Sequence, residues 1–237
     1  MDGPGAIPDR QDSPHPHQAL FDPSGKYVIM PDLGADLIRR FSVNGNASDA
    51  PFTELEPVKV TPATGPRHGA FYPPTGEPKF YYLVGEIGNT VTVFSLSYGE
   101  TLDFKEIQSI STLPDDYPHD PDHGAASEIA FTMGEGDVPP RVYVSNRLDS
   151  VFPNESSMAS YTLDPSTGKL TLLDIFPSGV ERVRHFSIHP SGTWLINEGE
   201  DSNTIGVLKL DKETGKVVDG DKARVFDMNQ PLCLNWL

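Results

Sequence analysis

A single cysteine, Cys233, stands in the 237 residues. No disulfide framework can therefore hold the chain, and nothing in it marks an oxidising compartment. Basic residues are also scarce: 18 Lys and Arg face 34 Asp and Glu, a formal net charge of -16. That balance repels nucleic acid and anionic membranes at long range, so an anionic ligand has to be met by a few local arginines. No apolar run reaches membrane-spanning length, and the opening MDGPGAIPDRQDSP lacks the basic and apolar regions of a signal peptide. The expectation is a soluble, cytoplasmic protein with neither a nucleic-acid nor a membrane partner. Residues 1–13 read as disordered and 14–237 as one domain. The sequons at Asn46 and Asn154 then read as chance matches. No segment sustains a helical period, and no G-x-S-x-G elbow is present to raise a nucleophilic serine.

What the sequence does contain is repetition. Four segments align, HQALFDPSGKYVIMPD, HGAFYPPTGEPKFYYLVGE, EIAFTMGEGDVPPRVYVSNR and HFSIHPSGTWLINE, starting at 17, 68, 128 and 185. Each is a short apolar run, a Gly/Pro turn and a second run rich in Val, Ile, Tyr or Trp, which predicts strand, hairpin and strand. A third alternating run follows in every unit (DLIRRFSV, NTVTVFSL, MASYTL, NTIGVLKL), then a fourth candidate strand such as LEPVKVT, KEIQSIST or LTLLDIF. Further strands are expected in ARVFDM and CLNWL near the end. Four antiparallel strands per unit, repeated at blade-like spacing, predict an all-β propeller of about four blades.

In such a hairpin the start of the first strand and the end of the second share one edge, which makes His68 and Glu86 candidate cross-strand neighbours. The same logic yields two columns: His17, His68, Glu128 and His185 at first-strand starts, and Asp32, Glu86, Arg147 and Glu198 at second-strand ends. Positions that break the repeat are the more informative. Glu128 stands where the other units have His, Arg147 where they have an acid, and Arg67 has a counterpart only in Arg184. A ring of such groups at a channel mouth suits a pocket, whereas His185, Asp32 and Glu198 serve equally well as ties between blades.

The stretches PHPHQALFDPSGKYVIMPDLGAD, GPRHGAF, VGEIGNTVTVF, VYVSNR and RHFSIHPSGTWL, in that order, resemble the blade motifs of the seven-bladed lactonase-type propellers. That family includes bacterial 6-phosphogluconolactonase and the fungal 3-carboxy-cis,cis-muconate cyclase. The ending QPLCLNWL is similar to the family's closing strand, and Val183 replaces the Pro that precedes Arg-His in GPRH. The resemblance implies a cofactor-free enzyme and places catalytic residues at His17, Arg67, Glu86 and Arg147. His68, Glu128, Arg184 and His185 are expected to bind substrate. A lactone hydrolase with His17 or Glu86 as base is implied, with the muconate-type cyclase as the alternative. Four repeats against the family's seven also leave room for a non-catalytic binding propeller or an inactive fragment.

Metal binding has weak support. His15 and His17 share a face if strand-like, and HDPDH (119–123) offers two His and two Asp, yet both read as loop features and no metal is expected. Trp194 and the Tyr81-Tyr82 pair read as packing residues in second strands. NEGEDSN (197–203) reads as a solvated turn whose first Glu could reach the pocket.

Overall fold

The computed structural model describes residues 3–45, 51–118, 123–218 and 224–236. It is all-β, with no helix among the described residues. Among the described residues sixteen strands form four sheets of four, each a simple antiparallel meander in chain order. The first sheet holds β1 (Leu20–Phe21), β2 (Tyr27–Asp32), β3 (Leu37–Val43) and β4 (Phe52–Lys59). The second holds β5 (Pro66–Tyr72), β6 (Phe80–Gly85), β7 (Thr90–Tyr98) and β8 (Leu102–Ser111). The third holds β9 (Ala126–Thr132), β10 (Arg141–Asn146), β11 (Ser157–Leu163) and β12 (Leu170–Pro177), and the fourth β13 (Val183–Ile188), β14 (Trp194–Gly199), β15 (Thr204–Lys209) and β16 (Arg224–Asp227). Every repeat of the sequence is thus one propeller-like blade, and ARVFDM supplies β16. CLNWL does not form the expected strand: residues 229–236 carry no strand assignment. The segment contacts β13 through side chains in place of a ladder, the Leu234 main-chain N–H donating to His185 Nδ1 at 3.3 Å and the Trp236 indole Nε1–H to the Ser187 main-chain carbonyl at 3.3 Å.

The chain divides into two compact units, 1–109 and 110–237, where the sequence suggested one domain. In the first, Ile29, Ile38, Phe71, Tyr81, Leu83, Phe94 and Leu102 form a buried cluster. In the second, Tyr143, Met158, Phe176, Val183, Phe186, Leu195 and Leu208 do the same. Strands β6 and β10 are buried along their whole length, and β6, FYYLVG, accordingly reads as a near-continuous apolar run. Tyr81 and Tyr82 are fully buried as expected, while Trp194 is half-buried.

The turns explain the recurrent polar letters. In DPSGK the buried Asp22 carboxylate accepts from Ser24, Lys26 and Tyr27 N–H at 3.1, 2.9 and 2.7 Å. In HPSGT the corresponding His189 Nδ1 accepts from Ser191 N–H at 3.0 Å. Asp36, Asn89 and Asn203 occupy equivalent turn positions with φ near 50°, a conformation that Asn and Asp tolerate better than other non-glycine residues.

Residues 3–13 differ from the expected disorder. Gln11 is completely buried, its side chain donating to the Leu33 carbonyl at 2.8 Å and accepting from Ile7 N–H at 3.0 Å. Sequence composition alone did not reveal this, because one buried Gln is enough to anchor a Pro/Gly-rich segment. Asn46 and residues 119–122 of HDPDH lie outside the described residues; His123 lies against Tyr117, with ring centroids 6.3 Å apart.

Two buried tyrosines offer a test of the packing. The Tyr81 hydroxyl has no partner among the described residues, whereas Tyr143 donates to the Gly215 carbonyl at 2.8 Å. A buried hydroxyl without a partner costs about 1–3 kcal/mol, and a satisfied one contributes about 1 kcal/mol. Tyr81→Phe is expected to leave chemical-denaturation stability unchanged or raise it, and Tyr143→Phe to lower it by about 1 kcal/mol. Equal losses in both would contradict the packing.

Candidate functional site

The site residues sit where each blade breaks its own ladder. In the second blade the register runs from Pro66↔Gly85 directly to Gly69↔Leu83, leaving Arg67 and His68 opposite Val84 alone. In the third it runs from Ala126↔Asn146 to Ile129↔Val144, isolating Ser127 and Glu128. In the fourth it runs from Val183↔Gly199 to Phe186↔Asn197, isolating Arg184 and His185. The first blade has an equivalent extra residue between the Pro16↔Asp32 bridge and Leu20↔Ile29, across His17 and Gln18. Each is a β-bulge, which bends the strand and re-aims the side chains it carries.

This register corrects three expectations. His17 aligns with Arg67 and Arg184, while Gln18 aligns with His68, Glu128 and His185. The second column, the residue following each bridge, is Leu33, Glu86, Arg147 and Glu200, so Asp32 and Glu198 belong to other rows. Arg67 is a direct neighbour of Glu86. An alternating pattern in sequence cannot show a bulge, and one inserted residue shifts every pairing beyond it.

In the first unit, Arg67 and Glu86 are 3% and 4% exposed, and Arg67 Nη1 donates to Glu86 Oε2 at 2.6 Å. Arg10, from the segment expected to be disordered, donates through Nη2 to the other oxygen, Glu86 Oε1. Arg67 Nε is buried and has no acceptor among the described residues. His68 is half-buried and His17 exposed, with the His17 main chain tied to the Pro31 carbonyl at 3.1 Å. Asp32 is structural: fully buried, it accepts from His15 N–H at 2.8 Å and Arg39 Nε at 2.7 Å. Gln18, which the sequence reading passed over, accepts from Gly69 N–H at 2.8 Å and so ties the first blade to the bulge of the second.

In the second unit, Glu128 is buried and its Oε2 stands 3.6 Å from His185 Nε2. Ser127 Oγ donates to the Arg184 carbonyl at 2.8 Å, tying the two bulges together. Because Leu234 N–H donates to His185 Nδ1, a neutral His185 carries its proton on Nε2, facing Glu128. Arg147 is half-buried and lines a cavity of about 360 Å³ with Asp149, Arg182 and Asp201 among others. Arg184 lies 3.9 Å from Glu200, which also pairs with Arg182 at 3.3 Å. No cluster of three potential metal ligands occurs among the described residues. His15 is engaged with Asp12 at 2.8 Å.

Glu198, the penultimate residue of β14, belongs to what read as a solvated turn; it is instead fully buried, and neither carboxylate oxygen has a hydrogen-bond partner among the described residues. Burial pushes its carboxyl up to about 8 from an ordinary 4.5. The His185 amide and the Arg184 charge oppose the shift, and the Glu200 charge adds to it. The folded state therefore holds this proton more tightly than the unfolded chain, and stability falls as pH rises from about 4.5 to about 8. Glu198→Gln removes the titration. The melting temperature of the variant relative to the parent chain is expected to climb across that window and level off above it; an offset independent of pH would contradict the burial.

Comparison with known proteins is consistent with this architecture. A chain of Arthroderma benhamiae named "Probable 6-phosphogluconolactonase" is 53% identical over 237 residues, covering all of this chain and 57% of that protein. The 6-phosphogluconolactonase of Bacillus subtilis is 31% identical over 210 residues, 88% of this chain and 54% of that one. A solved Bacteroides fragilis structure superposes with a TM-score of 0.82 at 30% identity, covering 99% of this chain and 61% of the other. The chain thus spans just over half the length of the curated relatives it matches. No helix among the described residues is long and apolar enough to cross a membrane. The sequence profile described as "Lactonase, 7-bladed beta-propeller" matches residues 1–236, and the chain belongs to that family.

Proposed function

We propose that the chain carries the chemistry of a lactone hydrolase acting on an anionic sugar lactone. The observation that carries this reading is the buried Arg67–Glu86 pair, set in a bulge whose counterparts in the other blades carry His17, Glu128, Arg184 and His185. Relatives named for 6-phosphogluconolactone hydrolysis support it and weigh toward hydrolysis over cyclisation. In the reaction, a water oxygen bonds to the lactone carbonyl carbon, the carbonyl becomes an oxyanion, and the ring C–O bond then breaks. The water proton goes to a base and the departing ring oxygen takes up a proton, leaving a hydroxy acid. His17, an exposed imidazole on a main chain fixed by Pro31, is the base in this assignment. Arg67 and Arg147 supply cationic N–H donors for the oxyanion and the substrate's own charge. His68, Glu128, Arg184 and His185 bind the sugar hydroxyls. The assignment needs no cofactor.

Loss of one oxyanion donor costs about 100-fold or more in turnover. Arg147→Ala and Arg67→Lys, the latter keeping a charge against buried Glu86, are each expected to lower kcat on 6-phosphogluconolactone by at least about 100-fold while the thermal melt stays cooperative. Full activity in both variants would remove these arginines from the mechanism.

A further inference from the structure

The bulges sit near the starts of β9 and β13, and a separate cavity of about 760 Å³ opens at the other end of the same strands. That volume suits a small organic molecule. Within the second unit it is walled by the connections 133–140 after β9 and 189–193 after β13, and by the turn 211–215 beyond β15. Each of these is closed on itself. Glu135 and Val138 exchange main-chain hydrogen bonds at 3.1 Å, Ser191 N–H donates to His189 Nδ1 at 3.0 Å, and Asp211 Oδ1 accepts from Thr214 N–H at 2.7 Å. Arg141 fastens the two blades across the cavity, donating to the Pro139 carbonyl at 3.0 Å and the Glu213 carbonyl at 3.2 Å, and Tyr143 adds its bond to the Gly215 carbonyl. The walls are therefore set without a ligand.

The lining divides by chemistry. Met133, Val138, Pro139 and Ile188 give it an apolar wall, and Met133 is 53% exposed, a large apolar side chain left uncovered. Glu135, Asp211 and Glu213 stand around that wall against one base, Lys212. Asp211 is spent on its own turn, whereas the Glu135 and Glu213 carboxylates have no hydrogen-bond or ion-pair partner among the described residues. The flanking Asp137 and Arg141 offset one another, which leaves the surroundings net negative. His189 adds no positive charge, because its Nδ1 accepts from Ser191 N–H and so carries no proton.

We propose that this cavity is a second ligand site, distinct from the bulged strands, for a small organic cation: an ammonium group carried on an apolar body. The apolar wall takes the body out of water, and the Glu135 and Glu213 carboxylates attract the ammonium. An anion of the same shape meets those carboxylates with the wrong sign, so the site discriminates by charge as well as by fit.

The test is an amide NMR titration of the chain with phenethylamine, phenethyl alcohol and phenylacetate, which share a ring and differ in the charge of the end group. Saturable shifts are expected at the amides of Met133, Gly134, Ser191 and Gly192. The amine is expected to bind about threefold or more tighter than the alcohol and about tenfold or more tighter than the carboxylate, the scale of one or two solvent-exposed charge contacts. Glu135→Gln combined with Glu213→Gln is expected to bring the amine within about twofold of the alcohol, and Met133→Ala to weaken all three by about threefold or more. These three side chains are exposed, so a cooperative melt near that of the parent chain is the control. Shifts absent from these amides, an alcohol or carboxylate bound as tightly as the amine, a preference that survives the paired substitution, or unaltered affinity in Met133→Ala overturns the site. Lactone hydrolysis does not enter the readout, and failure here leaves the hydrolase reading standing.

Discussion

One extra residue near the start of the first strand of each blade is the constraint on which the rest depends. A regular ladder would send alternate side chains to opposite faces, and each would be spent on packing against a neighbouring blade. The bulge breaks that alternation at Arg67–His68, Ser127–Glu128 and Arg184–His185, and polar residues collect there without an apolar position being surrendered. The inter-blade ties grow from the same points: Gln18 to the Gly69 amide in one unit, Ser127 to the Arg184 carbonyl in the other. Fold and site are therefore linked by the same irregularity.

Buried carboxylates near these bulges are accommodated in two ways. Glu86 remains charged company for two arginines, a buried pair whose desolvation is offset by short charge-assisted hydrogen bonds on both oxygens. Glu198 has no such partner, and its burial instead favours the protonated form. The difference follows from position. Glu86 is the residue after its bridge, turned toward the bulged Arg67, whereas Glu198 precedes its bridge and faces the backbone of Arg184 and His185.

The sequence made the blades legible because hairpins and alternation are local. DLIRRFSV, NTVTVFSL, MASYTL and NTIGVLKL all became third strands, and the Asp22 and His189 turns follow from side chains that cap their own loops. The register was not legible. Asp32 reads like Glu86 until the ladder shows it paired behind the site, and Glu198 reads like a turn residue until its burial is seen. Arg10 was invisible for a different reason: 76 residues separate it from Glu86, and a Pro/Gly-rich segment carries no periodicity from which such a contact could be read. CLNWL has the composition of a strand, yet its polar groups are taken by His185 and Ser187.

A crystal structure of the chain soaked with the phosphorylated hydroxy acid would test the central claim most directly. The account predicts the ligand seated at the bulged strands, with one of its oxygens within about 3 Å of an Arg67 guanidinium nitrogen. A ligand seated away from the bulged strands and out of reach of Arg67 would contradict it.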